Sequence, residues 1–531
     1  MSLVLQDRAA LYDHLVEEVQ KRHMVPEDRF EIAALLESMG WNDTRANESF
    51  GVQDVFELAE HIWDHIQQRV AVTPFEPIPK RDLRFLIVEL TKSFLRGVIF
   101  ALPMAISVVS MLTLKFSLWS YEYLSVELAT CIAIGTILSF IVVGGYTQAI
   151  ARRGFFYLFQ GYYSMGRKVT FKFIRIGYVT CLVTCAAIYG FNLVFNVFPP
   201  DMFIYIVLYF FFLTSIWLSV TVMYILRREL SFTGLIILGI FIVYLLDSLT
   251  PLDIIFAQLV SIFLVSIMGM LLVMYYFKKA ESREEKGISP QLPRMSITVY
   301  SIMPYFMYGF LYFLFLFIDR INAWSANEFY MPFFIWFRGE YELGLDFALL
   351  ALMIPLGVSE VIVHKLMLDL EDAQKRYWAT ETDAMNRFFK KVYFKMLGII
   401  ALTSVVSALF VWKGIFWANE WYLGYSGKTL IREDTITEFV FIVALISYVI
   451  LAIGLLNAVI LFSLSQPDLV NRSILPAVGV NAFAGFLLSR WFEYSFAVYG
   501  LLAGSILFAA LTLIHLLKVF GKLDYYYYAA G

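Results

Sequence analysis

Two adjacent opposite charges, Asp319 and Arg320, stand near the end of a long apolar segment, residues 303–324. A charge held at the centre of a bilayer costs about 2.5–3.5 kcal/mol, so a charge that is kept there usually has a function. This pair lies at the outer end of the segment, not at its centre. We therefore predict that both side chains reach water at the mouth of a membrane helix, and this exposure alone would explain them.

Further charges around this pair leave a functional alternative open. Carboxylates outnumber basic side chains here, with Asp319, Glu328, Glu340, Glu342 and Asp346 against Arg320 and Arg338. An acidic vestibule at the outer face would attract a cationic or hydroxyl-rich substrate. A solvated loop without any function accounts for the same residues.

Glu360 is the strongest single candidate for a site inside the membrane. It lies about one turn from the predicted hydrocarbon boundary, on a helix that Pro355 and Gly357 weaken. The structural alternative is a carboxylate that pairs with Lys365 or with a neighbouring basic loop.

Uncharged polar side chains lie deeper in the apolar segments. Tyr305, Tyr308 and Tyr312 recur at helical spacing beside Pro304, so the three rings share one helix face. Such a stripe could line a sugar pathway, since aromatic faces stack on pyranose rings, but it could equally be helix packing. The buried amides that we assign to the same candidate pathway are Gln148, Asn192, Asn196 and Asn457.

Enzyme signatures are missing from the sequence. It contains no HExxH, GxSxG or GxxxxGK[ST] motif and no paired DxD in a predicted cytoplasmic loop. We therefore predict a protein that is not an enzyme and that has no cofactor and no metal site. Energy for transport would come from an ion gradient, from the membrane potential or from synthesis of the substrate.

The composition is that of a polytopic membrane protein. Of 531 residues, 60% are hydrophobic and only 16% are charged, and the mean hydropathy is +0.71. Apolar segments long enough to cross a bilayer recur along the chain. We predict twelve spans, near 95–116, 122–147, 173–198, 202–226, 231–249, 253–277, 297–318, 344–363, 393–412, 436–463, 471–489 and 495–517.

Lysine and arginine concentrate in alternate connections between these spans, which is the positive-inside pattern. The pattern predicts a multi-pass protein of the inner (plasma) membrane with both termini in the cytoplasm.

The domain organisation follows from changes in composition. Residues 1–80 alternate charged and apolar residues at helical spacing, which predicts a small cytoplasmic bundle of about three helices. Gly40 is expected to end one helix, WNDTRANESFG to form a connecting loop, and residues 73–82 to link the bundle to the membrane. Beyond the bundle we predict an all-α membrane region of two six-helix lobes, 81–277 and 297–531, joined by a cytoplasmic loop, 278–296.

Short motifs in the membrane region resemble those of PelG-type proteins. The similar segments are LRGVIFALPMA, PYFMYGFLYFLFLFIDRINAW, DFALLALMIPLGVSEVIVHKL and LDYYYYAAG. The PelG type consists of proposed exporters of Pel exopolysaccharide in the MOP flippase superfamily, which also holds Wzx, MurJ and the MATE antiporters. The resemblance covers about residues 90–531, and it marks Pro304, Tyr308, Asp319, Arg320 and Glu360 as positions of interest.

The resemblance implies two lobes, alternating access and passage of a hexosamine-rich glycan or its lipid-linked precursor. The first 80 residues depart from the family pattern. They could dock a cytoplasmic glycosyltransferase or another subunit of a synthase complex, or serve only as a spacer. Nucleic acid is not an expected partner.

Three other functions stay open at the level of sequence. A membrane polymerase would need a large loop with essential carboxylates or arginines, and none is convincing. A MATE-type cation antiporter would need a carboxylate near the midplane, and none is visible in the first lobe. A scaffold subunit of a polysaccharide synthase complex would need no continuous cavity.

Overall fold

The computed structural model describes residues 11–19, 29–72, 83–121, 124–251, 253–282, 295–326, 331, 333–376, 381–426 and 436–528. The chain divides into two compact units, Met1–Arg81 and Asp82–Gly531. The predicted linker 73–82, most of the predicted loop 278–296 and Glu328 lie outside the described residues.

The first unit is a small helical bundle. Its helices are α1 (residues 11–19), α2 (Arg29–Ser38), α3 (Asp43–Phe50) and α4 (Val55–Val72). Helix α2 packs against α4, and the side chains of Leu36, Leu58 and Ile62 are fully buried between the helices. Gly40 follows α2 with φ +83°, the left-handed conformation that glycine adopts most readily at a helix end, as predicted.

The segment WNDTRANESFG is not the loop that we predicted, because α3 occupies most of it. The Asn42 side chain accepts a hydrogen bond from the Arg45 N–H, and Gly51 ends the helix with φ +76°. These two caps satisfy backbone groups at both ends of a helix whose surface is almost wholly polar. Its polar composition hid it from a search for apolar periodicity.

The second unit consists of helices apart from short connections in its described part. They are α5 (Leu83–Leu114), α6 (Val126–Phe159), α7 (Tyr163–Phe195), α8 (Pro200–Ile225), α9 (Glu229–Leu249), α10 (Ile254–Glu281), α11 (Met295–Trp324), α12 (Gly339–Leu349), α13 (Met353–Arg376), α14 (Thr382–Ser426), α15 (Ile436–Ser463), α16 (Pro467–Trp491), α17 (Val498–Gly521) and α18 (Leu523–Tyr528).

Eleven helices in the described part are long and apolar enough to cross a bilayer, counting Gly339–Ala373 as one. Helix α5 covers the remaining predicted span, 95–116, as far as Leu114, and its residues 97–114 carry no charge. The all-α membrane fold that the sequence predicts is thus confirmed. Helices α6 and α13 continue well beyond their spans, to Phe159 and Arg376.

The membrane unit forms two lobes, each with most of a hydrophobic core of its own. Lobe 1 comprises α5–α10, and its core contains buried side chains such as Tyr209, Ile236 and Phe277. Lobe 2 comprises α11–α17, and its core contains Phe347, Phe441 and Phe508. The extensive helix contacts between the lobes are α6 with α11 and α5 with α13. The lobes therefore meet along two helix pairs.

Candidate functional site

The two helix pairs that join the lobes touch through backbone atoms. A Cβ atom added to Gly309 of α11 would lie 2.1 Å from the Gly144 carbonyl oxygen of α6. A Cβ atom added to Gly97 of α5 would lie 2.6 Å from the Gly357 Cα atom of α13. Small residues allow such close approach of membrane helices. Each crossing therefore requires glycine at this position.

An aromatic stack lies beside the first crossing and bridges the lobes. The Phe140 ring of α6 stacks on Trp217 of the same lobe at 4.4 Å. It also stacks on Phe313 and Phe317 of α11, at 5.2 and 5.5 Å between ring centroids. Gly309, Phe313 and Phe317 follow each other at four-residue spacing, so one face of α11 meets lobe 1.

Polar contacts join the lobes at the end of the membrane unit where α6, α8 and α10 finish, which we call the basic end. The Arg152 guanidinium lies 4.9 Å from the centre of the Tyr305 ring and donates a hydrogen bond to Ser465. Arg153 donates a hydrogen bond to Ser301. His364 Nε2 lies 3.2 Å from Glu89 Oε1. These contacts hold the lobes together at this end.

Asp319 and Arg320 are not exposed, contrary to our prediction. The Asp319 side chain is fully buried, and Arg320 is only 7% exposed. Helix α12 contacts both side chains, and beyond α11 the Trp336 N–H donates a hydrogen bond to the Trp324 carbonyl. The Phe337 N–H also donates a hydrogen bond to Thr130 of lobe 1. The end of α11 is therefore covered by protein.

These residues belong to a buried charge cluster in lobe 2, formed by Asp319, Arg320, Tyr341, Glu342 and Asp346. Arg320 pairs with Glu342 and, at 3.1 Å, with Asp346. The Tyr341 hydroxyl donates a hydrogen bond of 2.9 Å to Asp319 Oδ2. Trp324 Nε1 donates a hydrogen bond of 2.8 Å to Glu342 Oε1. The expected solvated loop is thus wrong for Arg320 and Glu342, and Arg338 is buried as well.

The charge cluster holds three carboxylates against one guanidinium. Asp319 Oδ1 is buried, and no described residue donates a hydrogen bond to it. The Asp346 side chain is 50% exposed, so the cluster reaches solvent on that side. In the described part of the chain, no group of three His, Cys, Asp or Glu side chains is placed to hold a metal ion. Arg320 itself lies between Glu342 and Asp346, and Asp319 is the carboxylate with an unsatisfied oxygen.

Glu360 lies on α13 at the contact between the lobes. The Tyr224 hydroxyl of lobe 1 approaches its Oε1 atom at 3.5 Å. Arg96 and His364 are also close enough to interact electrostatically with the carboxylate, whereas the Lys365 side chain is exposed. The carboxylate therefore faces the other lobe.

The three tyrosines of α11 pack mainly within lobe 2. Tyr308 belongs to the lobe 2 core and stacks on Tyr312 at 5.8 Å. Phe462 of α15 contacts Tyr305 and Tyr308, with ring centroids 5.5 and 4.6 Å away. Only Tyr305 also reaches Arg152 of lobe 1.

The other predicted site residues are spread over the membrane unit. Gln148 lies at the α6–α11 crossing, where its side chain faces Gly309. The Pro304 carbonyl accepts a hydrogen bond from Asn471 of α16. Asn192 exchanges two hydrogen bonds with Phe198, and Asn196 ends α7 with φ +50°. The structure therefore brings Gln148 to the lobe contact and places Asn192 and Asn196 at the end of α7.

Asn457 is fully buried between three helices of lobe 2. It accepts a hydrogen bond from Tyr393 of α14 at 2.8 Å and donates one to Thr512 of α17 at 3.2 Å. We expect Asn457→Leu to lower the free energy of unfolding by about 1–3 kcal/mol, because the Tyr393 hydroxyl loses its partner in an apolar core. Thermal unfolding of the purified protein measures this. Reduced transport by a variant of unchanged stability would instead assign Asn457 to the substrate pathway.

Sequence reasoning missed the residues that join the lobes. Neither Gly144 and Gly309 nor Phe140 and Trp217 stand out in segments so rich in glycine and aromatic residues. The four-residue spacing of Gly309, Phe313 and Phe317 is a signal in the sequence, and Tyr305 of the tyrosine stripe begins the same row.

Comparison of the fold with solved structures finds membrane transporters of one fold. The chain is similar to the eukaryotic MATE transporter AtDTX14, with a TM-score of 0.58 and 13% identity over 84% of this chain and 100% of that one. A mutant of the Vibrio cholerae MATE transporter VcmN aligns with a TM-score of 0.54 and 15% identity, over 83% of this chain and 98% of that one. The chain has the MATE transporter fold.

A MOP superfamily transporter from Pyrococcus furiosus shares this MATE fold, with a TM-score of 0.54 and 12% identity over 82% of this chain and 97% of that one. No protein-family model matches the sequence, and no curated protein matches it. The likeness is therefore one of fold. In this MATE fold, the glycine crossings and the charge cluster described above are the candidate functional elements.

Proposed function

We propose that this protein is a membrane transporter that works by alternating access, with the two lobes rocking against each other. The observation that carries the proposal is the contact between the lobes, which rests on two helix crossings closed by glycine. Most of each hydrophobic core lies within one lobe, with Ile137 of α6 and Ile302 of α11 as the buried residues that cross over. The lobes can therefore move largely as units. The fold shared with MATE transporters supports the same conclusion.

For the substrate, we propose an exopolysaccharide similar to Pel, or its lipid-linked precursor, exported across the inner membrane. The supporting observation is the resemblance of α11 and α13 to PelG-type segments. Aromatic and amide side chains at the lobe contact, such as Tyr305 and Gln148, offer the stacking and hydrogen bonds that sugars need. The energy source in this proposal is a proton that binds to Asp319.

A MATE-type cation antiporter is the second candidate. The charge cluster favours it, since three carboxylates face one guanidinium inside lobe 2. A role as scaffold or polymerase subunit of a synthase complex has no such supporting observation among the described residues.

Deletion of the gene distinguishes these functions. We expect the deletion strain to stop secreting polymer and to keep its drug resistance, and Glu360→Gln and Tyr308→Ala variants that insert normally to restore secretion only partly. Unchanged secretion in the deletion strain would end the export proposal. Loss of drug resistance instead would support the antiporter.

Asp319→Asn tests the proposed coupling site. The amide keeps an acceptor for the Tyr341 hydroxyl but cannot bind and release a proton, so the fold should persist while transport falls about 5-fold or more. Asp346→Asn is the matched control, because this carboxylate is half exposed and already paired with Arg320. Secreted polymer per inserted protein is the measurement. Equal effects of both variants would remove Asp319 from the mechanism.

For the first 80 residues, we propose a cytoplasmic location and a role in docking a glycosyltransferase or another synthase subunit. The exposed rings of Phe30 and Phe56, which lie 6.4 Å apart, offer an apolar contact on this unit. Tags at the N-terminus and near Lys390 should both be inaccessible from outside the cell, because the charge pattern predicts both in the cytoplasm. Labelling of either from outside would overturn this topology.

A further inference from the structure

A cavity of about 360 Å³ lies at the basic end of lobe 1, apart from the contact between the lobes. The ends of α6, α8 and α10 and the start of α7 form its walls. Three cationic side chains line it, Arg227, Arg228 and Lys279, and none of the lining residues is a carboxylate. The cavity therefore concentrates positive charge that its own walls do not neutralise.

The nearest acidic residues in the sequence lie beside other arginines, although no described residue hydrogen-bonds to Glu229 Oε1. Glu281 Oε1 lies 2.5 Å from Arg167 Nε, and Glu229 Oε1 lies 3.9 Å from Arg96 Nε. The first turn of α7, a helix of 33 residues, begins at the cavity wall with Tyr163. The positive end of its helix dipole faces the negative ends of α6, α8 and α10 at the same cavity, so the positive field comes from the three cationic side chains.

Arg227 adopts a backbone conformation that favours glycine. Its φ is +57°, and the N–H groups of Arg227 and Arg228 close the end of α8 by donating to the Tyr224 and Met223 carbonyls. Residues other than glycine rarely adopt this conformation, because their Cβ atom comes close to the following carbonyl oxygen. The chain thus keeps a strained arginine at a helix end that glycine would terminate more easily, and the strain is consistent with a role for its side chain.

Aromatic rings hold both guanidinium groups at the cavity. Arg227 Cζ lies 5.9 Å from the centre of the Phe159 ring, and Arg228 Cζ lies 5.4 Å from the centre of the Tyr276 ring. The Tyr276 hydroxyl is in turn hydrogen-bonded to Ser231 at 2.7 Å. A guanidinium group presents its N–H donors as a rigid planar fork, which suits the oxygens of a phosphate.

Apolar surface continues from the cavity on the outside of lobe 1. The side chains of Phe159 and Leu230 are 73% and 68% exposed, and Tyr275 is exposed as well. A free anion would make no contact with this apolar surface, whereas the acyl chains of a lipid would cover it. Cationic pockets between membrane helices are suited to anionic lipid headgroups.

We propose that this cavity binds the phosphate headgroup of an anionic phospholipid, with Arg227, Arg228 and Lys279 contacting the phosphate and the acyl chains lying along Phe159 and Leu230. The site is separate from the lobe contact and the charge cluster. It therefore does not depend on the proposed transport function.

The test measures binding of fluorescent phosphatidylglycerol to the purified full-length protein in detergent micelles, with phosphatidylcholine as the neutral lipid. The pocket variant combines Arg227→Gln, Arg228→Gln and Lys279→Gln. The control combines Lys390→Gln, Lys391→Gln and Lys395→Gln. These three lysines are exposed on α14, and replacing them removes the same total charge as the pocket variant does. Gel filtration checks the fold of each, and Arg228→Gln alone replaces the pocket variant if that variant aggregates.

We expect the wild type and the control to bind phosphatidylglycerol equally, and the pocket variant to bind it about 10- to 100-fold more weakly. The affinity of the single Arg228→Gln variant for phosphatidylglycerol should fall about 5-fold. Inorganic phosphate alone should not displace the lipid. Equal binding by the wild type and the pocket variant, equal loss by the control, or displacement by inorganic phosphate would overturn the proposal.

Discussion

Arg320→Met is expected to destabilise the protein by about 3–5 kcal/mol, because it leaves Glu342 buried without its cation. Glu342 is 7% exposed and pairs with Arg320, while Asp346 can turn toward solvent. The expected result is a large drop in Tm and in the yield of monodisperse protein. Thermal unfolding in detergent, followed by gel filtration, measures both.

A second substitution shows whether the charge itself is the cause. Combining Arg320→Met with Glu342→Gln removes both charges, yet the amide can still accept the hydrogen bond from Trp324. Part of the lost stability should return, since Glu342 is no longer an isolated ion, whereas the buried Asp319 carboxylate still lacks the cation beside it. Arg387→Met, at an exposed position on α14, should change stability by less than about 0.5 kcal/mol. An unchanged Tm for Arg320→Met would contradict the buried ion pair.

Gly309→Ala is expected to reduce both transport and stability, although it adds a single methyl group. The new Cβ atom would lie 2.1 Å from the Gly144 carbonyl oxygen, so α6 and α11 must separate. Overpacking of this kind costs about 1–3 kcal/mol. Secreted polymer and Tm are the measurements.

Gly398→Ala is the matched control, because no atom lies within 4 Å of the Cβ position in the middle of α14. Alanine is the better helix former by about 0.5–1 kcal/mol, so this variant should be equally or slightly more stable. Replacing glycine by alanine should thus lower the stability of the protein at position 309 and leave it unchanged or raise it at position 398. A Gly309→Ala variant as stable and active as Gly398→Ala would exclude the close crossing.

The length of the apolar segments made the membrane helices predictable. The conformational freedom of glycine made the helix end at Gly40 predictable. A span of uncharged residues must be helical in a bilayer because no water can satisfy its backbone. A glycine after an amphipathic segment marks a helix end whatever surrounds it. Both features depend on residues close in sequence.

The burial of Asp319 and Arg320 could not be predicted in this way. Whether a charge at a helix end meets water depends on what covers it, and here α12 contacts the pair through Tyr341, Glu342 and Asp346. Helix α3 was missed for a related reason, since its stability rests on caps and not on an apolar face. The partners of Phe140 likewise come from helices far apart in the chain.

The two glycine crossings have a geometric consequence for how the lobes can swing. Two fixed points define a line, and bodies pinned at both points keep one degree of freedom, a rotation about that line. Gly144–Gly309 and Gly97–Gly357 would act as the two pins of such a hinge. Rotation about this line would open the gap between the lobes on one side of the bilayer and close it on the other side.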